Sequence, residues 1–155
     1  MTDERWLEEA VALATANVAG GGGPFGAVVV RGEVVVGRGQ NRVTRDLDPT
    51  AHAEVVALRG AAREIADFSL AGCVLYSSCE PCPMCMSSAL WARVDRVVYA
   101  ADRADATRGR FADSLFYDLF SRPRDTWPIP VVNERVASAA EPFDAWLARE
   151  DRTPY

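Results

Sequence analysis

The chain of 155 residues has no long hydrophobic run and begins with the acidic segment MTDERWLEEA. A membrane-spanning helix needs about 18 or more consecutive apolar residues, and no stretch approaches that length. A signal peptide would place an apolar segment after a basic start, and this N-terminus has neither feature. We therefore expect no membrane association and a location in the cytoplasm.

Basic residues are also in short supply. Lys and Arg total 17 against 22 Asp and Glu, which gives a formal net charge of −5. Binding to a phosphate backbone depends on clustered cations, so we do not expect nucleic acid as a partner. A chain of this length can bury about 70% of its unfolded surface, and it needs no disulfide or metal merely to fold. Its four cysteines are therefore better interpreted as thiols or metal ligands than as disulfides.

Hydrophobic periodicity predicts helices that alternate with strands. Helices are predicted over 3–18, 51–66, 82–92, 111–120 and 141–150, and strands in two parts of 25–41 and over 73–78, 96–101 and 131–136. The segment GGGG at 20–23 ends the first helix, and without a following Gly-Lys-Ser/Thr it is not a phosphate-binding loop. The alternation indicates a single α/β domain over 1–155, with helices on both faces of a sheet.

The segment SSCEPCPMC at 77–85 contains three of the four cysteines. Cys82 and Cys85 are three residues apart at the start of a predicted helix, so both can face one metal ion. His52, the only histidine, opens another predicted helix within TAHAE. Zinc accepts sulfur and imidazole ligands, and a set of three leaves its fourth position open to water, which is the catalytic pattern.

Glu54 follows His52 by two residues, close enough to reach the same site. Zinc lowers the pKa of a bound water to about 7. A neighbouring carboxylate can accept the proton and pass it to a leaving group. The combination predicts hydrolytic attack on an electron-poor carbon.

Other interpretations remain open at this point. A CxxC pair can be a thiol redox pair or part of a non-catalytic zinc module, and an HxE segment on a helix is commonly solvent-exposed. Cys79 is an alternative zinc ligand, although it precedes the helix and lacks the spacing. Cys73 falls within a predicted strand and is expected to pack in the core.

Several segments together resemble the zinc-dependent cytidine and deoxycytidylate deaminase superfamily, and within it the bacterial guanine-deaminase branch. The segments that carry the resemblance are GGPFGAVVV at 22–30, GQN at 39–41, DPTAHAEVVAL at 48–58, SCEPCPMC at 78–85, WAR at 91–93, YAADRADA at 99–106, FADSLFYDL at 111–119, PF-x-AW at 142–146 and the terminal Tyr155. They are spread over nearly the whole chain. The resemblance implies a three-layer α/β/α sandwich around a mixed five-stranded sheet.

The resemblance also implies roles for individual residues. His52, Cys82 and Cys85 would bind Zn²⁺, and Glu54 would be the proton shuttle. Asp113 would be a second acid near the exocyclic amine, although Ala112 stands where the family often has another acid. Residues implied to bind or enclose the substrate are Asn41, Phe25, Ala53, Trp91 and Tyr155.

Alternatives to these substrate contacts are ordinary structural roles. Asn41 could cap a turn, Phe25 and Trp91 could be core aromatics, and Tyr155 could end a frayed tail. If the resemblance holds, the segment at about 122–155 is exchanged in a homodimer, and Tyr155 closes the neighbouring subunit's site.

The implied reaction converts guanine to xanthine and ammonia. Rival substrates are cytosine, a triazine such as ammeline and a free nucleoside, which differ only in the edges that the pocket must recognise. A tRNA adenosine deaminase shares HAE and PCxMC, but the acidic composition argues against it.

Overall fold

The computed structural model describes residues 3–155, apart from the side chain of Asp113. They form two compact units, which meet in sequence between Asp118 and Leu119. No helix in this described part has the length and apolarity to cross a bilayer. The cytoplasmic location and the exchange of the C-terminal segment both stay predictions.

Helices and strands alternate along the chain, as the periodicity predicts. Their bounds are α1 Glu4–Ala19, β1 Gly26–Arg31, β2 Val34–Gln40, α2 Val43–Asp46, α3 Ala53–Ile65, β3 Cys73–Cys79, α4 Pro83–Trp91, β4 Arg96–Ala101, α5 Arg103–Arg108, α6 Asp113–Phe120, a 3₁₀ turn Arg124–Thr126 and α7 Glu141–Ala148. The short helices α2 and α5 were not expected. A capping box at Asp102 and Asp105 satisfies the first amides of α5, and it explains how so short a helix forms.

The four strands of the described residues form one mixed sheet in the order β2-β1-β3-β4. Strand β1 runs antiparallel to both β2 and β3, whereas β3 and β4 are parallel. The prediction of a mixed α/β sheet is confirmed, but the prediction of five strands is wrong.

The missing fifth strand is the one predicted over 131–136. In the described chain this segment has no regular structure, and Val131, Val132 and Val136 are exposed. A run of β-branched residues becomes a strand only where a neighbouring strand supplies hydrogen-bond partners and a surface to pack on. The described chain gives 131–136 neither.

Helices cover both faces of the sheet. Along β1, Ala27 and Val29 join the cluster formed with α3, whereas Val28 and Val30 join the cluster that contains Trp6 of α1. Because successive side chains of a strand point to opposite faces, burial on both faces requires an apolar residue at every position. This explains the uninterrupted sequence AVVV, and it gives residues 3–118 a three-layer arrangement.

Glycines on β2 let α3 approach the sheet at backbone contact. A Cβ atom on Gly37 would lie 2.4 Å from the carbonyl oxygen of Ala57, and one on Gly39 would lie 2.0 Å from that of Ala53. Only hydrogen fits at these two positions. The sheet therefore fixes the distance between β2 and the first turn of α3, and with it the position of His52, which directly precedes α3.

We predict that Gly39→Ala lowers the free energy of unfolding by about 1–3 kcal/mol, because the added methyl group forces α3 away from the sheet. Urea denaturation measures the change. Gly60→Ala is the matched control, since Gly60 lies within α3 and a Cβ there would meet no atom within 4 Å. It should raise stability by about 0.5–1 kcal/mol. Equal stability of Gly39→Ala and the wild type would contradict the proposed backbone contact between β2 and α3.

Candidate active site

Two helix N-termini converge at the site. His52 is the N-cap of α3 and Cys82 the N-cap of α4, and both have extended backbones, with ψ of 154° and 168°. Pro83 occupies the first position of α4, where a missing N–H costs nothing. Cys85 then falls one turn into the helix on the same side as Cys82. The partial positive charge at a helix N-terminus favours thiolate over thiol.

The three predicted ligands are brought together. His52 Nδ1 lies 3.6 Å from Cys82 Sγ and 3.4 Å from Cys85 Sγ, and the two sulfurs are 3.6 Å apart. With Zn–S near 2.3 Å and Zn–N near 2.0–2.1 Å, tetrahedral ligands are separated by roughly 3.5–3.8 Å. The donor atoms therefore fit a zinc ion in both kind and spacing. Within the described residues, these three form the group that can hold a metal ion.

The sulfur atoms of the two cysteines are hydrogen-bonded to each other at 3.6 Å. This contact lowers the pKa of Cys82 to about 4, with further help from His52. The same contact raises the pKa of Cys85, and burial adds to the rise. One of the two cysteines is thus already disposed to be a thiolate, and metal binding would displace the proton from the other.

Glu54 is buried beside the ligands, with 5% of its surface exposed. Its Oε1 accepts a hydrogen bond of 3.1 Å from Ser77 Oγ of β3, and its Oε2 lies 3.4 Å from Cys85 Sγ. Burial raises the pKa of the Glu54 carboxyl, while its own backbone N–H, Cys85 and Ser77 oppose the rise. A carboxyl held in this way is suited to accept a proton and to release it again.

His52, Glu54 and Cys82 face a cavity of about 470 Å³ within the first unit. That volume is in the range of small-molecule sites. The other residues that line the cavity are the glycines at 21–23, Phe25, Asn41, Val43, Thr44, Glu80, Phe111 and Phe116. A flat apolar molecule with a polar edge matches such a lining.

Asn41 and Phe25, which the resemblance implies as substrate contacts, both line this cavity. Asn41 follows the last residue of β2, and its Oδ1 accepts a hydrogen bond of 3.2 Å from the Val43 N–H. Phe25 meets Phe111 edge to face, with ring centroids 4.9 Å apart. One wall of the cavity is therefore aromatic, and the strand end beside it carries an amide.

A charged and aromatic cluster lies next to Glu80, which lines the cavity near Cys82. Arg103 forms an ion pair of 2.8 Å with Glu80, and its guanidinium stacks 3.8 Å from the centre of the Tyr117 ring. The Tyr117 hydroxyl donates to the carbonyl oxygen of Pro81. These contacts attach α6 to the loop that precedes the zinc ligands, and they place Phe116 of α6 in the cavity wall.

Of the remaining predicted residues, Ala53 and Trp91 do not line the cavity in the described chain. Ala53 is fully buried in the core as the first residue of α3, and Trp91 ends α4 with 69% of its surface exposed. Tyr155 belongs to the second unit, where its ring lies 6.4 Å from that of Trp146. Asp113 begins α6, but its side chain lies outside the described part of the structure. Their roles stay predictions.

Ser77, Glu80, Phe111 and Phe116 were not singled out from the sequence. Ser77 and Glu80 lie within the cysteine-rich segment 77–85, so their closeness in sequence to the cysteines was a usable signal. Phe111 and Phe116 looked like core residues of a helix, and only the packing of α6 shows that they border a cavity.

Comparison with known proteins gives one family. Residues 1–101 match the model for the cytidine and deoxycytidylate deaminase zinc-binding region. The guanine deaminase of Bacillus subtilis (strain 168) is 45% identical over 156 aligned residues, which span all of both chains. A tRNA-specific adenosine deaminase of Buchnera aphidicola subsp. Schizaphis graminum is 35% identical over 76% of this chain and 78% of its own.

Solved structures agree with the sequence matches. The X-ray structure of guanine deaminase from Bacillus subtilis superposes with a TM-score of 0.96, covering 100% of this chain and 99% of the other at 42% identity. The guanine deaminase from Nitrosomonas europaea gives a TM-score of 0.69 at 31% identity, over 72% of this chain and 65% of its own.

We predict that the purified protein holds about one zinc ion per chain, as three converging ligands require. Cys85→Ser should remove most of it, because a serine hydroxyl does not ionise to replace a thiolate. Cys73→Ala is the matched control, since Cys73 is a buried thiol on β3 outside the donor cluster. Elemental analysis of both variants measures the difference. Full zinc in Cys85→Ser would exclude this donor set.

Proposed function

The chain belongs to the cytidine and deoxycytidylate deaminase zinc-binding family, and we propose that it hydrolyses guanine to xanthine and ammonia. One observation carries the chemistry: a buried carboxylate, Glu54, shares a cavity with a His/Cys/Cys donor set of zinc geometry. A redox or purely structural module leaves Glu54 without a role. It would also have no need of a substrate-sized cavity beside its thiols.

His52, Cys82 and Cys85 would hold the zinc ion, which supplies a coordinated water of lowered pKa. Glu54 accepts the proton from the attacking water. It then delivers this proton to a ring nitrogen and assists proton transfer to the departing amine. One water is consumed and one ammonia leaves, so Glu54 ends each cycle in its starting state.

Substrate recognition would fall to the rest of the cavity. Asn41 offers a hydrogen bond to the base, and Phe25 packs against its ring. Asp113 would act near the exocyclic amine, beside Glu54. Support for these roles is the placement of Asn41 and Phe25 in the cavity and the position of Asp113 at the start of α6.

Guanine is favoured among the possible bases by the relative that matches over its whole length. The Bacillus subtilis guanine deaminase shares both units with this chain, whereas the tRNA-specific adenosine deaminase of Buchnera aphidicola aligns with 76% of it. The net charge of −5 also disfavours a polyanionic substrate.

The deciding experiment measures ammonia release from guanine, cytosine, ammeline, guanosine and tRNA. We expect guanine to have the highest kcat/KM and tRNA to give no product. A higher kcat/KM on any of the other four would reassign the substrate. No release from any of the five would remove the deaminase proposal.

Glu54→Gln is the matched inactive variant, because it keeps the shape of the side chain but cannot take up a proton. It should retain zinc, since Glu54 is outside the donor set, and its kcat should fall by about 100-fold to 10,000-fold. Full activity in this variant would reject Glu54 as the proton shuttle. Loss of zinc together with activity would make Glu54 a structural residue.

We also propose that the protein works as a homodimer in which the segment at about 122–155 is exchanged and Tyr155 closes the partner's site. The support is the exposure of this segment. No residue of 119–155 is buried in the described chain, although Ile129, Val132, Phe143 and Leu147 are large and apolar. Soluble monomers rarely leave so many apolar side chains in water.

Light scattering should therefore give a mass of about twice the chain mass of 16.9 kDa. Deleting Tyr155 should leave the dimer intact and lower kcat/KM for guanine. A monomer, or full activity without Tyr155, would discard this part of the proposal.

A further inference from the structure

We propose that Asn17, a residue of α1 outside the cavity, is a positioning residue that sets the affinity for the base. Its side-chain amide holds Asn41 and the glycine loop at 20–23 in one arrangement. The inference rests on the proposed function, since it assigns to Asn41 the binding of the substrate.

The amide of Asn17 joins two walls of the cavity. Its Nδ2 donates to the carbonyl oxygen of Gly23 and to that of Asn41, each at 2.8 Å. The side chain is buried, with only 2% of the residue exposed. Both hydrogens of one NH₂ group are therefore used on two backbone segments that face the same ligand space.

The glycine loop is built around this amide. The Gly22 N–H donates to the backbone carbonyl oxygen of Asn17 at 2.8 Å. A Cβ atom on Gly22 would lie 2.4 Å from Asn17 Nδ2, so the loop backbone rests directly on the amide. Because the loop has no side chains of its own, its contacts with Asn17 help to fix the positions of Gly22 and Gly23.

The backbone of Asn41 is held by two hydrogen bonds, one to Phe25 and one to Asn17. Its N–H donates to the Phe25 carbonyl oxygen at 3.1 Å, and its carbonyl oxygen accepts from Asn17. Its Oδ1 accepts from the Val43 N–H, while its Nδ2 has no hydrogen-bond partner within residues 3–155. That remaining donor is available to a purine acceptor, and its direction depends on the backbone that Asn17 fixes.

A contribution to stability alone does not explain the choice of asparagine. Asn17 Oδ1 is a buried oxygen without a hydrogen-bond partner in the described structure. Leaving a buried acceptor unsatisfied lowers stability, and native proteins rarely keep such a group without a reason. The two donated hydrogen bonds supply the reason, because no aliphatic side chain could tie Gly23 to Asn41.

Asn17→Asp tests the inference, because it conserves shape but replaces the NH₂ donor by an oxygen that repels both carbonyls. Asn41 binds the base and does not touch the reacting carbon. We therefore expect KM for guanine to rise at least about tenfold while kcat changes much less. Zinc content should stay at the wild-type value, and rates are calculated per zinc-loaded chain.

Tyr76→Phe is the matched control. It removes a partly buried side-chain hydrogen bond of 2.8 Å to Asp3, the residue just before the N-terminus of α1, at the end of the helix far from Asn17. Tyr76→Phe should lower thermal stability and leave KM unchanged. If any destabilisation of α1 were enough to raise KM, KM would rise in this variant as well. If Asn17→Asp does not fold, Asn17→Ser removes one of the two donors and should still raise KM.

The outcomes separate the two proposals. A wild-type KM in whichever of these Asn17 variants folds overturns the positioning role, even when guanine is confirmed as substrate. Wild-type protein that releases no ammonia from guanine instead rejects the proposed function. If another base in the panel is turned over, its KM replaces that of guanine in the same comparison.

Discussion

The candidate metal site depends on the convergence of two helix N-termini, those of α3 and α4. His52 caps α3 and Cys82 caps α4, so both ligands stand where the helix dipoles favour negative charge. Cys85 and Glu54 follow within the first turns, and their side chains point to the same place. A change that shifts either helix along its axis would separate the donor atoms by more than a zinc ion can bridge.

The surrounding fold keeps these helices in position from several directions. Gly37 and Gly39 let the backbone of α3 rest on β2, and Ser77 of β3 bonds to Glu54 from the sheet side. On the other side of the cavity, Asn17 secures the glycine loop and the strand end that carries Asn41. The polar side chains around the cavity are thus held by specific hydrogen bonds, with Asn17 Oδ1 left unpaired in the described structure, and these bonds fix the site before a ligand binds.

The convergence of the candidate metal ligands could be predicted because its signals are local. A single histidine, a CxxC pair and a nearby glutamate leave few combinations, and each ligand begins a helix whose phase sets its direction. The cavity wall was harder, because Phe111 and Phe116 look like ordinary apolar helix residues until α6 is placed. The strand predicted over 131–136 failed for a related reason: a strand depends on neighbours that the local sequence does not encode.

X-ray absorption at the zinc edge of the purified protein tests the donor set most directly, because it counts and identifies the atoms bound to the metal. The account predicts two sulfur ligands at about 2.3 Å, one imidazole nitrogen at about 2.0–2.1 Å and one further light atom. A shell of four sulfurs, a shell without imidazole, or a protein that never acquires zinc would contradict it.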